Sequence, residues 1–279
     1  MTDRVATAVT QVTDATTFLF VPGDRPERFD KAFGAGADVV IIDLEDAVAP
    51  ENKAGALAST VAALGGVGVS TDFRALVRVN GSVEELGALT AVAGARLLGI
   101  VIPKSEDPAA ITALTALVPT GLPVVALVET ALGISNARAI AELPRVTRLA
   151  FGAIDFAADV DATAPAVLDA ARAALVIASR AASKPAPIES PSTNFTDLDA
   201  VESDARAARG LGFGGKLCIH PAQLAPVRAG FAPTADEIAW AARIVELDGG
   251  AVQLDGAMVD KPVVDRAKRI LARAEGSRS

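Results

Sequence analysis

Seven short apolar runs end in groups able to ionise or hydrogen-bond: Asp24-Arg25, Glu45-Asp46, Asn80, Lys104, Glu129, Asp155 and His220. Two of these are single carboxylates. Glu129 follows Val124-Val125-Ala126-Leu127-Val128, and Asp155 follows Leu149-Ala150-Phe151-Gly152. On neighbouring strand exits such a pair can offer hard oxygens to Mg²⁺ or Mn²⁺ and leave positions open for water or substrate. The same two residues can also cap helices or carry surface charge. Asp43 and Glu45 share one face of the run from Val39 to Leu44, with Asp46 near its exit. They can cap the next helix or orient a metal and its waters.

Arg78 stands inside Leu76-Val77-Arg78-Val79-Asn80. A guanidinium in a buried strand needs an anion, so either a carboxylate substrate or an internal Asp or Glu is expected beside it. Lys104 suits a carboxylate holder, a Schiff-base amine or an ordinary salt bridge. His220, the sole histidine, precedes Pro221 with no nucleophile elbow around it, which weighs against a hydrolase triad and favours a hydrogen-bonded structural histidine. Cys218 is the only cysteine and lies in an apolar run, so it reads as packing. One cysteine excludes an intrachain disulfide and a Cys-rich zinc or iron–sulfur site.

The runs that present these groups are strand-length: Thr17–Val21, Val39–Leu44, Arg74–Asn80, Leu97–Pro103, Val124–Thr130, Val146–Gly152 and Lys216–His220. Ala186–Thr196 is a weaker candidate seventh strand, with two prolines and little β-branched content. Helix-compatible stretches separate them at Arg25–Gly34, Lys53–Leu64, Val83–Val92, Pro108–Leu117, Ser135–Glu142 and Pro165–Ala182, and Ala222–Arg228 follows the last strand. Alternation of this kind calls for a parallel sheet with helical crossovers. With the weak strand included the count is eight, a (β/α)8 TIM barrel whose exits all meet at one mouth. Without it the chain is an open doubly wound sheet. The convergence of polar exits favours the barrel. No G-x-G-x-x-G or P-loop signature follows a strand, and Gly212-Phe213-Gly214-Gly215 reads as a turn.

Residues 1–230 are expected to form the barrel and 231–279 a C-terminal helical extension, packed on the barrel or on a neighbouring subunit. The extension has helices at Thr234–Leu247 and Val263–Ala274, joined by a glycine-rich break leading through Ala251 to Met258. A chain of 279 residues, 51% hydrophobic and 4% aromatic, can close one large core. Its net charge of −8 argues against a general nucleic-acid or membrane surface, though not against a small anion held by a local basic cluster. Neither a secretory signal nor a membrane span is evident, so a cytoplasmic location is expected.

Eight segments, in order and spanning nearly the whole chain, resemble the CitE-like branch of the HpcH/HpaI aldolase/citrate lyase family. They are FLFVPGDRPERFDKAF from Phe18, DVVIIDLEDAVAPENK from Asp38, LVRVN from Leu76, VIPKSED from Val101, VALVETALGI from Val125, LAFGAIDFAAD from Leu149, GFGGKLCIHPAQ from Gly212 and DGAMVDKPVVDRA from Asp255. The resemblance implies the barrel, and it implies Mg²⁺ held by Glu129 of the ET motif and Asp155 of FGxxD. It assigns Arg78 to the small acid substrate, Arg25 and Lys31 to coenzyme A contacts, and Asp260 of the MVD segment to a neighbour's active site in a homotrimer or hexamer.

The implied reaction is reversible aldol or Claisen-type cleavage of a hydroxyacyl-CoA thioester into an acyl-CoA and a 2-oxo acid, with Asp260 moving a proton at the acyl carbon. Two other readings stay open: a metal-dependent 2-keto-3-deoxy acid aldolase, and an accessory subunit inactive alone. Departures from the family pattern surround the acid pocket. Ile154 replaces the acidic residue of GAED, Asp159-Val160-Asp161 replaces DLG, and Glu189-Ser190-Pro191-Ser192-Thr193-Asn194 replaces DxVxxD.

Overall fold

The structure is a computed structural model that describes residues 2–92, 94, 96–246, 252–254 and 257–276. Eight parallel strands close into a barrel in chain order: β1 (Thr17–Pro22), β2 (Val39–Asp43), β3 (Ala75–Arg78), β4 (Leu97–Ile102), β5 (Val124–Val128), β6 (Val146–Phe151), β7 (Ile188–Glu189) and β8 (Gly215–Cys218). The strands read as continuous apolar runs because both of their faces are buried. Phe18, Val39, Ile41, Leu76, Val101, Val125, Leu127, Ile188 and Leu217 fill the inside. The alternate residues, among them Leu19, Val40, Ile42, Val77, Ile100 and Val124, pack outward with the helices. Closure rules out the open doubly wound sheet.

The weak seventh strand exists but is two residues long. Ile188 pairs with Ala150 and Gly215, and Glu189 with Lys216. Pro187 and Pro191 bracket it, and each lacks the N–H a longer ladder needs.

The helices are α1 (Thr2–Asp14), α2 (Phe29–Gly34), α3 (Lys53–Leu64), α4 (Val83–Ala91), α5 (Pro108–Ala116), α6 (Ala131–Ser135), α7 (Ala137–Glu142), α8 (Ala153–Asp159), α9 (Pro165–Ala181), α10 (Leu198–Leu211), α11 (Leu224–Phe231), α12 (Ala235–Glu246) and α13 (Lys261–Gly276). The stretch read as a helix over Ser135–Glu142 holds α7, and α6 ends where it begins, the two divided at Asn136. Helices α1, α6, α8 and α10 go beyond the helix-compatible stretches of the sequence. The ends of α10 carry clear signals all the same: the Asp197 side chain accepts from Ala200 N–H, and Gly212 closes the helix at φ +107°.

α1 closes the end of the barrel opposite the mouth, with Val12 and Ala15 joining the interior cluster. Beneath them Arg148 of β6 is 1% exposed. Its Nη1 donates to Val12 O (3.0 Å) and Ala15 O (2.8 Å), its Nε donates to Ala186 O (2.7 Å), and it lies over the Phe18 ring. Carbonyls at the C-terminal end of a helix carry partial negative charge and suit a cation. Burial still draws the Arg148 pKa down to about 9.

α12, a two-stranded hairpin of β9 (Val252–Leu254) and β10 (Ala257–Val259), and α13 follow the barrel, with their own cluster of Ala241, Ile244, Val259, Ala267 and Ile270. Arg209 of α10 binds Glu237 of α12 (2.8 Å), which ties this segment to the helical layer. Leu247 and the glycine-rich break up to Ala251 lie outside the described residues. Among the described residues no helix is long and apolar enough to cross a membrane.

Candidate active site

β2 and β3 are paired so that Asp43 lies opposite Arg78, and alternation turns both side chains inward at the mouth. Arg78 Nε and Nη2 donate to the two oxygens of Asp43, at 2.7 and 2.5 Å. Asp43 also accepts Glu45 N–H (2.9 Å) and Ala47 N–H (3.1 Å), so its carboxylate has four donors. The remaining Arg78 nitrogen faces Glu45 Oε2 (3.0 Å), with Asp46 Oδ2 at 3.8 Å, and the guanidinium lies 4.9 Å from the centre of the Phe20 ring. Burial opposes the charge on Arg78, but the Asp43 hydrogen bonds and the surrounding carboxylates hold its pKa above the usual value. Of the two partners that the sequence leaves open for Arg78, a carboxylate substrate or an internal Asp or Glu, the internal one is present.

Lys104 follows β4 in a left-handed backbone conformation, φ +46°, which is rare for a residue with a Cβ. Its two ends do different things. Nζ donates to Glu45 Oε1 (2.6 Å), while the peptide N–H donates to Glu129 Oε1 (2.7 Å). The hydrogen bond to Glu45 raises the Lys104 pKa. A Schiff-base amine needs the opposite shift, so that reading is set aside.

Glu129 stands just beyond β5, turned inward and almost fully buried. Burial pushes its carboxyl up to about 8. Repulsion from Asp155 and Glu45 adds to this, against the pull of the Lys104 amide and Arg78. Asp155, in the first turn of α8, is half-buried. Space for Glu129 depends on Gly152, where an added Cβ would sit 2.4 Å from Glu129 Oε2 and 2.5 Å from its Cβ. Gly152→Ala is expected to lower stability by about 1–3 kcal/mol, as overpacking of a filled site does, which urea melts would measure.

The mouth thus gathers five carboxyl groups (Asp43, Glu45, Asp46, Glu129, Asp155) around two cations, Arg78 and Lys104. Among the described residues no group of three or more His, Cys, Asp or Glu is arranged to hold a metal. Glu129 and Asp155 suit an open site for a hard cation: two oxygen donors, one of them buried and beside like charge so that a cation would favour its ionised form, with other positions left to water and substrate.

The remaining expected residues are scattered. Arg25 is exposed at the β1 exit, its Nε 4.0 Å from Asp24, and Lys31 is exposed on α2. Asp260 is exposed at the start of α13, where its carboxylate accepts Val263 N–H (3.3 Å); no described contact links it to the mouth. His220 has the structural role expected of it, its Nδ1 accepting Ala222 N–H (3.1 Å) and its ring stacked on Phe195 (4.8 Å). Cys218 is buried and its thiol is pushed up to about 12 by burial, as packing demands.

Glu189 turns away from the mouth to meet Arg172 of α9 (2.9 Å), while Ile154 lies exposed beside Asp155. Asp43 is the residue at the mouth that the sequence marks least and the structure ties most closely to Arg78. The signal was its inward phase, shared with Ile41 and matched to Arg78 across the register.

The chain is similar to known proteins over most of its length. A family model described as HpcH/HpaI aldolase/citrate lyase matches residues 16–221. The citrate lyase subunit beta-like protein of Mycobacterium tuberculosis is 34% identical over 92% of this chain and 94% of its own length. A (3S)-malyl-CoA thioesterase of Cereibacter sphaeroides is 36% identical over 92% and 93%. The crystal structure of CitE from M. tuberculosis in complex with magnesium, acetoacetate and coenzyme A aligns with a TM-score of 0.81 and 32% identity, covering 94% of this chain and 98% of that one. The chain belongs to the HpcH/HpaI aldolase/citrate lyase family, in its CitE/malyl-CoA lyase branch.

Proposed function

We propose that the protein is a Mg²⁺-dependent carbon–carbon lyase that cleaves a small hydroxyacyl-CoA thioester, of the malyl-, citramalyl- or citryl-CoA kind, into an acyl-CoA and a 2-oxo acid. The observation that carries the reading is the buried Glu129 carboxyl beside Asp155, set against Arg78 in a mouth with more carboxylates than cations. Glu129 and Asp155 hold the metal, Mg²⁺ or Mn²⁺, which when bound supplies Lewis-acid polarisation of the oxo acid's oxygens. Arg78 orients the acid carboxylate and stabilises charge as the carbon–carbon bond breaks. Arg25 and Lys31, exposed near the β1 exit, take the coenzyme A phosphates. Asp260, exposed on the extension, moves a proton at the acyl carbon in a neighbouring protomer's mouth within a homotrimer or hexamer.

Purified protein with Mg²⁺ is expected to convert at least one of malyl-, citramalyl- or citryl-CoA into an acyl-CoA and an oxo acid, both identified by mass spectrometry. Free coenzyme A and a hydroxy acid, with no oxo acid, would instead mark thioester hydrolysis, the activity in the name of the Cereibacter relative. Turnover of 2-keto-3-deoxy acids alone would mark the pyruvate aldolase reading. No turnover by folded, metal-bound protein would mark an accessory subunit.

The raised Glu129 pKa gives a pH signature. In the metal-free fold this carboxyl titrates near 8, against 4.5 as the ordinary value, so the folded state holds a proton that the unfolded chain has released. Metal-free stability therefore falls as pH rises from 4.5 to 8. Mg²⁺ competes with that proton. The rise in Tm on adding Mg²⁺ is expected to be larger at pH 8.5 than at pH 6.5, about two units apart, in thermal melts.

A further inference from the structure

The proposed role of Arg78 raises a question of competition, because every nitrogen of its guanidinium already faces a carboxylate oxygen. Nε and Nη2 are committed to Asp43, whose carboxylate is fixed by two peptide N–H groups and cannot leave without stranding them. Nη1 is the nitrogen that Asp43 does not hold. It faces Glu45 Oε2 at 3.0 Å, an oxygen that also accepts the Asp46 N–H at 3.3 Å.

Glu45 is itself shared. Its Oε1 accepts Lys104 Nζ at 2.6 Å, a shorter contact than the one to Arg78. Glu45 is largely buried, whereas the Lys104 side chain is 57% exposed and sits at the rim. The left-handed backbone of Lys104 is anchored by its amide on Glu129, so one residue touches both the candidate metal ligand and the counter-ion of Arg78.

We infer that Glu45 is an internal occupant of the Arg78 anion site and that Lys104 is the positioning residue that decides how strongly it competes, so that the pair sets affinity for the substrate carboxylate. The inference rests on the proposed function. A carboxylate arriving at Arg78 Nη1 meets Glu45 on the same nitrogen, and two carboxylates crowded on one donor repel. Lys104 resolves the conflict by taking Glu45 onto its own ammonium, along a hydrogen bond already formed. Asp43 stays as the fixed half of the site. Lys104 thereby acts through Glu45 and not on the ligand.

The test is calorimetric titration of the full chain with Mg²⁺ alone and then with glyoxylate at saturating Mg²⁺. Glu45→Gln, which removes the competing charge, is expected to bind glyoxylate about tenfold more tightly than the wild type, the scale of one charge-assisted contact. Lys104→Met, which leaves Arg78 as the one cation paired with Glu45, is expected to bind about tenfold more weakly, and Lys104→Arg to return within about threefold of wild type.

The double variant separates this coupling from the general loss of a positive charge. Lys104→Met placed on Glu45→Gln is expected to change affinity by less than about twofold, since the residue through which Lys104 acts is gone. In the condensation direction the single changes are expected in KM for the oxo acid, with kcat moving less than about threefold. Weaker or unchanged binding by Glu45→Gln, or an undiminished loss from Lys104→Met in the double variant, overturns the inference while the proposed function stands. A wild-type protein that binds Mg²⁺ but no oxo acid overturns both.

Discussion

Glu129→Gln is expected to lower Mg²⁺-dependent cleavage by about 10³, equivalent to about 4 kcal/mol of transition-state stabilisation, without unfolding the barrel. The change is nearly isosteric. A glutamine carbonyl can still accept the Lys104 peptide N–H, and the space that Gly152 leaves open is unchanged. What disappears is a negative charge that the fold holds at a cost. Because burial, Asp155 and Glu45 all disfavour the ionised form, metal-free stability at pH above 8 should not fall in the variant. Mg²⁺ should no longer raise its Tm. Near-normal activity with normal Mg²⁺ affinity would remove Glu129 from the metal site.

Arg78→Met has the other large effect, and it divides differently. Removing one partner of a buried ion pair strands the other, so Asp43 keeps its peptide donors but loses its counter-charge, and Glu45 keeps Lys104 as its one ion-pair partner beside the Asp46 N–H. The expected loss is about 3–5 kcal/mol of stability, read in urea melts, together with loss of activity. Arg78→Met/Asp43→Leu should recover part of the stability, because both ends of the pair are then gone, and none of the activity. Recovery of both would mean that Arg78 is only structural.

Most of the barrel was legible because parallel strands buried on both faces write themselves as unbroken Val, Ile and Leu runs. The boundaries of β1 and β4 fall within a residue of the pattern. β7 was nearly illegible for a physical reason: flanked by Pro187 and Pro191, it contributes only Ile188 and Glu189 and is held in place by its neighbours. α10 was missed because its mean hydropathy is low, even though Asp197 and Gly212 mark its ends. α1 is also polar overall, and its docking depends on Arg148, 133 residues beyond Ala15.

At the mouth, Glu129, Asp155 and Arg78 stood out as charges at strand exits. Their couplings did not. The double duty of Lys104, amide on Glu129 and ammonium on Glu45, follows from a positive φ that no residue type announces. The outward turn of Glu189 toward Arg172 likewise depends on the phase of a two-residue strand.

The most direct test of the site is a crystal structure of the protein grown with Mn²⁺ and glyoxylate, with manganese located by its anomalous scattering. The expected result is one strong peak at the barrel mouth, bound by carboxylate oxygens of both Glu129 and Asp155, with the glyoxylate carboxylate on Arg78. A peak held by other residues, or an empty mouth in crystals that bind manganese elsewhere, would contradict it.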